Sequence, residues 1–356
     1  SVSAYGGEEL TPPRYGEVFI SVKPYNGVYL SSAIKDTIKS ELRKYSCAGI
    51  ITEILDLKYL FVETDSTVYY DTSKAASPDG VKNQIVSNIV NYSDSSQLNK
   101  FGARFKYSKF LGIIDNSQAS ITSNITHVHM RRDMEPRLNT YTEYEICYGN
   151  RIHVKSEDGY NIKSSGFFVN GISDCVYLGD LPGTDLLTGT VFLFKLNSPT
   201  QPVVVKRAIG TIDYKKGEIK LNPLNIISSK INIGAQGFTT PLIEISMCPY
   251  SNDVIGLQDL YLQLDASNTT VTMVPDEITS GTNTSGSSYK VTSSYANGGL
   301  VRGTPHLTSA TFENGNGDSN GTTTTTTARA STSVSTRTTS TPSTPSTPST
   351  GGGSGY

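Results

Sequence analysis

The residues best placed to do chemistry are two histidines, His127 and His129, set two apart in a run of β-type residues. Alternation along a strand puts both imidazoles on one face, which is the minimum arrangement for a pair of metal ligands. A protein metal site needs a third ligand and usually a fourth, and the sequence places neither. The pair is therefore only a weak metal candidate, set against the plainer reading of solvent-facing or hydrogen-bonded histidines. The stretch from His127 to Arg132 is also locally basic. A phosphate site competes there with an ion pair to Asp133 and Glu135 on a solvated strand face, and the ion pair is the favoured reading.

Other chemistry-bearing residues do not converge. Cys47, Cys147, Cys175 and Cys248 lie far apart, with no CxxC or zinc-ribbon spacing, and read as reduced thiols in the core. Glu8-Glu9 and the scattered aspartates lack the spacing of an acid/base pair, and no nucleophile elbow or phosphate-binding loop occurs. The expectation is a chain with no catalytic residues, no cofactor and no small-molecule substrate. Tyr is abundant, with 21 residues against 11 Phe and no Trp. That suits wet protein interfaces, although strand propensity alone would also enrich it.

The elements that must position these residues follow from periodicity. Val18–Lys23 reads as a strand closed by Pro24 and an Asn26-Gly27 turn. Ile34, Ile38, Leu42 and Tyr45 mark one face of a helix capped by Ser31 or Ser32 and ended by Gly49. Residues 50–57 and 58–63 are β-rich, and Asp65-Ser66 predicts a turn before a further strand over 67–70. A second helix carries Val81, Ile85, Ile89 and Tyr92, with Ser77 or Asp79 as its cap. Residues 98–111 suggest a short helix, weakened by Gly102, and 120–132 suggest the strand that holds both histidines. Beyond it come short β runs broken by Asp158-Gly159, Asn170-Gly171, Pro182-Gly183 and Lys216-Gly217, the pattern of stacked hairpins.

Composition separates the body from one end. The 356 residues are 36% hydrophobic with a net charge of -2, and the sequence pI is about 6.1. That balance argues against nucleic acid as the main partner. The shortage of apolar residues sits mostly in residues 279–356, where about half are Ser or Thr and Ser-Thr-Pro units repeat. This end reads as a disordered tether, with residues 289–301 as a possible docking arm. No run of apolar residues is long enough for a membrane helix. The chain opens at Ser1 with no Met and no charged leader, which fits the later part of a longer polypeptide. Asn-x-Ser/Thr matches at Asn91, Asn124 and Asn268 are read as chance.

Four blocks carry a family resemblance: Val2–Pro24, Leu98–Leu111 with Ile114-Asp115, Ile209–Leu221, and Ile245–Asp265 with its Asn252-Asp253-Val254. Together they resemble the C-terminal part of the baseplate wedge proteins of T-even-type contractile-tailed phages, relatives of the J-like baseplate family. The resemblance covers about residues 1–275 and assigns no individual functional residues. It implies a structural virion protein of the tail baseplate, assembled in the host cytoplasm, that dimerises, joins neighbouring wedge and hub proteins and passes on the contraction signal. The alternative from the Ser/Thr/Pro repeats is an extracellular adhesin or tail-fibre-like module on a stalk.

The fold class expected is α+β. An N-terminal α/β sandwich-like part over 1–132, with two or three helices packed on a mixed sheet, precedes a β-rich hairpin domain over 133–278. The low-complexity tail of 279–356 follows.

Overall fold

The computed structural model describes residues 1–276 and 311–312, apart from residues 11, 25–29, 48, 76, 155–160, 199–200, 234–238 and 258. The expected turns at Asn26-Gly27 and Asp158-Gly159, the arm over 289–301 and nearly all of the Ser/Thr/Pro tail lie outside the described residues.

Along the chain run β1 (Val2–Gly6), β2 (Glu17–Val22), α1 (Ser32–Arg43), β3 (Ile51–Leu55), β4 (Lys58–Tyr70), α2 (Pro78–Ser93), β5 (Arg104–Phe105), α3 (Tyr107–Asp115) and β6 (Ile121–Met134). The second half continues with β7 (Tyr141–Cys147), β8 (Lys163–Ser164), β9 (Phe167–Val169), β10 (Tyr177–Pro182), β11 (Thr188–Ser198), β12 (Gln201–Asp213) and β13 (Glu218–Ser229). Then follow β14 (Ile231–Ile233), β15 (Thr240–Met247), β16 (Val254–Ile255), β17 (Leu260–Leu264), β18 (Thr270–Pro275) and β19 (Thr311–Phe312).

The expected α/β sandwich at the N-terminus is not what forms. Among the described residues strand makes up 49% and helix 16%, so sheets rather than helix layers organise the described part of the molecule. Residues 1–55 make a separate three-stranded sheet in the order β1-β2-β3. Its helix α1 has the expected cap, with the Ser31 hydroxyl accepting from the Ile34 N–H at 3.4 Å, yet none of its residues is buried. The predicted apolar stripe is real in sequence but half-covered in space, because three short strands offer too little surface to bury it.

The central sheet runs β14-β15-β6-β4-β17, with β18 also beside β4 and β8 beside β15. β4 is one unbroken strand of 13 residues, not two strands around an Asp65-Ser66 turn. Pairing on both edges overrides the turn signal: β6 lies antiparallel along it, and β17 then β18 lie parallel on the other side. Ser66 and Thr126 satisfy each other across the strands at 2.9 Å, and Thr270 donates its hydroxyl to Asp65.

β6 and β15 are antiparallel neighbours although more than a hundred residues separate them in the chain. Between them is inserted the hairpin sheet β10-β11-β12-β13-β7. The central sheet thus draws strands from both sides of residue 132.

Helix α2 behaves as its spacing requires. Pro78 opens it, Ser77 caps it by accepting from the Gly80 N–H, and Val81, Ile85, Ile89 and Tyr92 are buried. Each of these aliphatic side chains contributes about 1.5–3 kcal/mol by leaving water. The helix expected over 98–111 begins only at Tyr107. Gly102 adopts φ 63°, a left-handed conformation that stops a helix, and Arg104-Phe105 is drawn into pairing with Val254-Ile255. The expected Lys216-Gly217 turn is present, with Gly217 at φ 76°; an added Cβ would lie 2.1 Å from the Asn150 carbonyl oxygen.

One large core joins α2 and α3 to the central sheet and the hairpin sheet, from Leu60 and Phe110 to Ile219 and Ile245. Smaller clusters form around Tyr177, Phe192 and Phe194 and around Leu57, Tyr59 and Tyr261. Among the described residues no helix is long and apolar enough to cross a membrane.

Candidate functional site

A set of charged residues comes together on one face of the central sheet. Residues directly opposite one another in a ladder share a face, and the register pairs Phe61 with Arg131, Glu63 with His129 and Asp65 with His127. On the next strand Glu244 stands opposite Asp133 and Ser246 opposite Arg131. Lys163 of β8 continues the row beyond Ser246.

Arg131 is the centre of this face. Its side chain is 6% exposed and makes ion pairs with Glu63, with Asp133 at 2.9 Å, with Asp265 at 3.1 Å and with Glu244 at 3.7 Å. Its guanidinium lies 4.4 Å from the centroid of the Phe61 ring. Burial works against its charge, but Asp133, Glu63, Glu244 and Asp265 outweigh that and raise its pKa above the ordinary arginine value. Burial likewise pushes the Asp265 carboxyl up, and hydrogen bonds from Ser267 and Asn268 together with Arg131 bring it below the usual carboxylate value. One cation thus ties together β4, β6, β15 and the turn after β17, four segments far apart in the chain.

The two candidate metal ligands lie beside this cluster. His127 is exposed and His129 half-buried. The His129 Nδ1 sits 3.4 Å from the Cys248 Sγ. Burial first, then the positive charge of Lys163 and the neighbouring His127, pushes the His129 pKa down to about 3, so the ring is neutral at neutral pH. Among the described residues no group of three or more His, Cys, Asp and Glu is arranged to hold a metal ion. Arg132 points to the opposite face, where its Nη1 donates to the Cys147 carbonyl at 3.1 Å.

The favoured ion pair within the basic run is half of what forms. Arg131 does bind Asp133, while its other partners are Glu63, Glu244 and Asp265 rather than Glu135. The i, i+2 spacing of Arg131 and Asp133 on a strand was a sufficient signal for that one pair. Nothing local marks the other three, which come from distant strands. The cysteines also differ from expectation: all four are free, but Cys47 is exposed and the other three are only half-buried.

A second buried carboxylate has a different setting. Asp180 accepts from the backbone N–H groups of Asn161 and Ile162 at 2.6 and 2.7 Å and from the Tyr214 hydroxyl at 2.7 Å. Burial raises its pKa despite these three bonds. The site fastens β10 and β12 to the segment leading into β8, and all its donors are already committed. What both buried clusters do chemically is hold strands together.

Comparison with known proteins follows the same segments. Residues 1–55 match the family model described as baseplate structural protein gp6, C-terminal domain I, and residues 58–133 match C-terminal domain III of the same protein. The first match coincides with the β1-β2-β3 sheet, and the second runs from β4 to the end of β6. The chain is also similar to baseplate wedge protein gp6 of Enterobacteria phage T4, 30% identical over 279 residues. That alignment covers 70% of this chain and 41% of the relative, so the chain spans about two-fifths of that protein's length. The chain belongs to the gp6 baseplate structural protein family and corresponds to its C-terminal part.

Proposed function

We propose that the chain is a structural subunit of a contractile phage tail baseplate, located in the virion and working by assembly rather than catalysis. The observation that carries this reading is the run of family matches over residues 1–133 together with the 30% identity that continues across 279 residues. The interior supports it, because the buried charges are spent on fastening strands and leave a rigid body whose exposed surfaces can be shared with neighbours. On this reading the partners are other wedge and hub proteins and a second copy of the chain. Through its contacts with these neighbours the chain helps pass on the contraction signal. Assembly would take place in the host cytoplasm before the finished tail is mounted on the particle.

The test is reconstitution. Co-expression with the wedge proteins of the same phage, followed by size-exclusion chromatography with light scattering, is expected to give a stoichiometric complex and a dimer of the chain itself. A strictly monomeric chain that enters no complex, together with intact tails assembled in its absence, would overturn the proposal.

A further inference from the structure

A second surface forms where two short strands, β5 and β16, meet two loops. Arg104 of β5 stands opposite Ile255 of β16. The other edge of β16 is completed by a side chain: Asn150 donates its amide to the Ile255 carbonyl at 2.8 Å and accepts the Ile255 N–H at 2.9 Å. This mimics a strand partner and holds the next residue, Arg151, beside the row. The Arg151 carbonyl accepts the Tyr250 N–H at 2.8 Å, and its guanidinium lies 3.9 Å from the centroid of the Tyr250 ring. Between these parts is a cleft of about 340 Å³ lined by Arg104, Asn150, Arg151, Ser251, Asp253 and Ile255.

The charge of the cleft is not balanced from within. Asp253 is its acid, and one carboxylate oxygen is occupied by the N–H of Tyr107 at 2.8 Å, at the start of α3. Among the described residues neither Arg104 nor Arg151 forms an ion pair. The rim exposes Tyr250 by 57%, Ile255 by 40% and Leu257 by 36%. Arginine and tyrosine beside exposed aliphatic groups are the residue types that carry binding energy at protein interfaces. A guanidinium fork held by stacking on an aromatic ring is oriented to take a carboxylate through two hydrogen bonds.

We propose that this cleft docks an acidic segment of a partner protein. Two neighbouring carboxylate side chains pair with Arg104 and Arg151, and an apolar side chain beside them covers Tyr250, Ile255 and Leu257. The chain's own tail does not have this chemistry. Residues 277–356 hold three acids, Glu277, Glu313 and Asp318, against four bases, Lys290, Arg302, Arg329 and Arg337. Nucleic acid is disfavoured by the net charge of -2 and by the apolar rim. The proposal stands on this surface alone and is independent of the baseplate reading.

The experiment uses the full chain and a fluorescein-labelled decapeptide in which Glu-Glu pairs alternate with Leu, read by fluorescence anisotropy at low salt. The same peptide with Gln for Glu, and a labelled DNA duplex, serve as comparisons. The Glu peptide is expected to bind at least tenfold tighter than the Gln peptide. Arg104→Glu with Arg151→Glu is expected to weaken it at least tenfold, and the neutral pair Arg104→Gln with Arg151→Gln by less. An unchanged thermal midpoint of the neutral pair separates lost binding from lost folding. Equal binding of both peptides, undiminished binding by the charge-reversed chain, tighter binding of DNA, or no binding of the Glu peptide would each overturn the proposal.

Discussion

On one face of β4, Leu60 and Val62 are fully buried against apolar neighbours that include Met130 and Ile245. On the other face of the same strand Glu63 is 4% exposed and Arg131 opposite Phe61 is 5% exposed. Equal burial is thus achieved by opposite chemistry. The apolar face is held by removal from water, a non-directional effect that any well-shaped set of aliphatic residues could supply. The charged face is held by pairing, where every member depends on the others and desolvation is offset only while the set is complete. The difference teaches which face tolerates change. It also explains why the strands of the charged face can come from remote parts of the chain and still meet in one register.

The largest expected effect comes from breaking the charged face. Arg131→Ala leaves four carboxylates without their cation and is expected to cost about 3–5 kcal/mol at neutral pH. In that variant four carboxylates crowd together with no cation among them, so the loss is expected to be greatest at neutral pH and to shrink in acid, where protons relieve the repulsion. Urea midpoints at pH 7 and pH 4 check this, and a loss that is the same at both would mean that packing rather than charge is what Arg131 supplies.

Leu60→Ala attacks the apolar face and is expected to cost about 2–5 kcal/mol, with a loss that does not change between those pH values. Calorimetry of the two variants side by side sharpens the contrast, and a pH-dependent loss in Leu60→Ala would break it.

His129 gives a smaller, acid-specific effect. Burial first, then the charges of Lys163 and His127, hold its folded pKa at about 3, below the ordinary imidazole value of 6.5. The neutral form is favoured in the fold, and its contribution is complete above the unfolded pKa and declines as pH falls toward the folded one. Between pH 7 and pH 5 the parent chain is expected to lose about 1–2 kcal/mol that His129→Gln does not lose. Parallel denaturation curves for the two chains over that range would refute the assignment.

The smallest effect is expected outside the central sheet. Ile34 on α1 is 50% exposed, so Ile34→Ala should shift the thermal midpoint of the isolated chain by an amount equivalent to about 0.5 kcal/mol or less. A larger loss would mean that the 1–55 sheet buries this stripe more fully in solution.

Much of the fold was legible where local signals agree. The α2 stripe of Val81, Ile85, Ile89 and Tyr92, its Ser77 cap, the strand carrying His127 and His129 and the Lys216-Gly217 turn all follow from spacing and turn chemistry. The readings that failed are those where pairing partners lay elsewhere. Asp65-Ser66 has the residues of a turn but sits between two continuous ladders. Arg104-Phe105 has helical neighbours but pairs with Val254-Ile255. Of the candidate site, Arg131 and Asp133 could be paired from their spacing, while Glu63, Glu244 and Asp265 carry no mark of their common destination.

Residue order alone therefore set the family resemblance, the helix faces, the compositional break near residue 279 and the lack of a local catalytic motif, because each depends on neighbours a few positions apart. Tertiary structure alone decided that a β-rich body would replace the expected helix-packed sandwich, and that a hairpin sheet would sit between two adjacent strands. It also decided that one arginine would gather four carboxylates. The physical reason is that strand pairing and buried charge both require partners, and in this chain the partners are separated by up to two hundred residues.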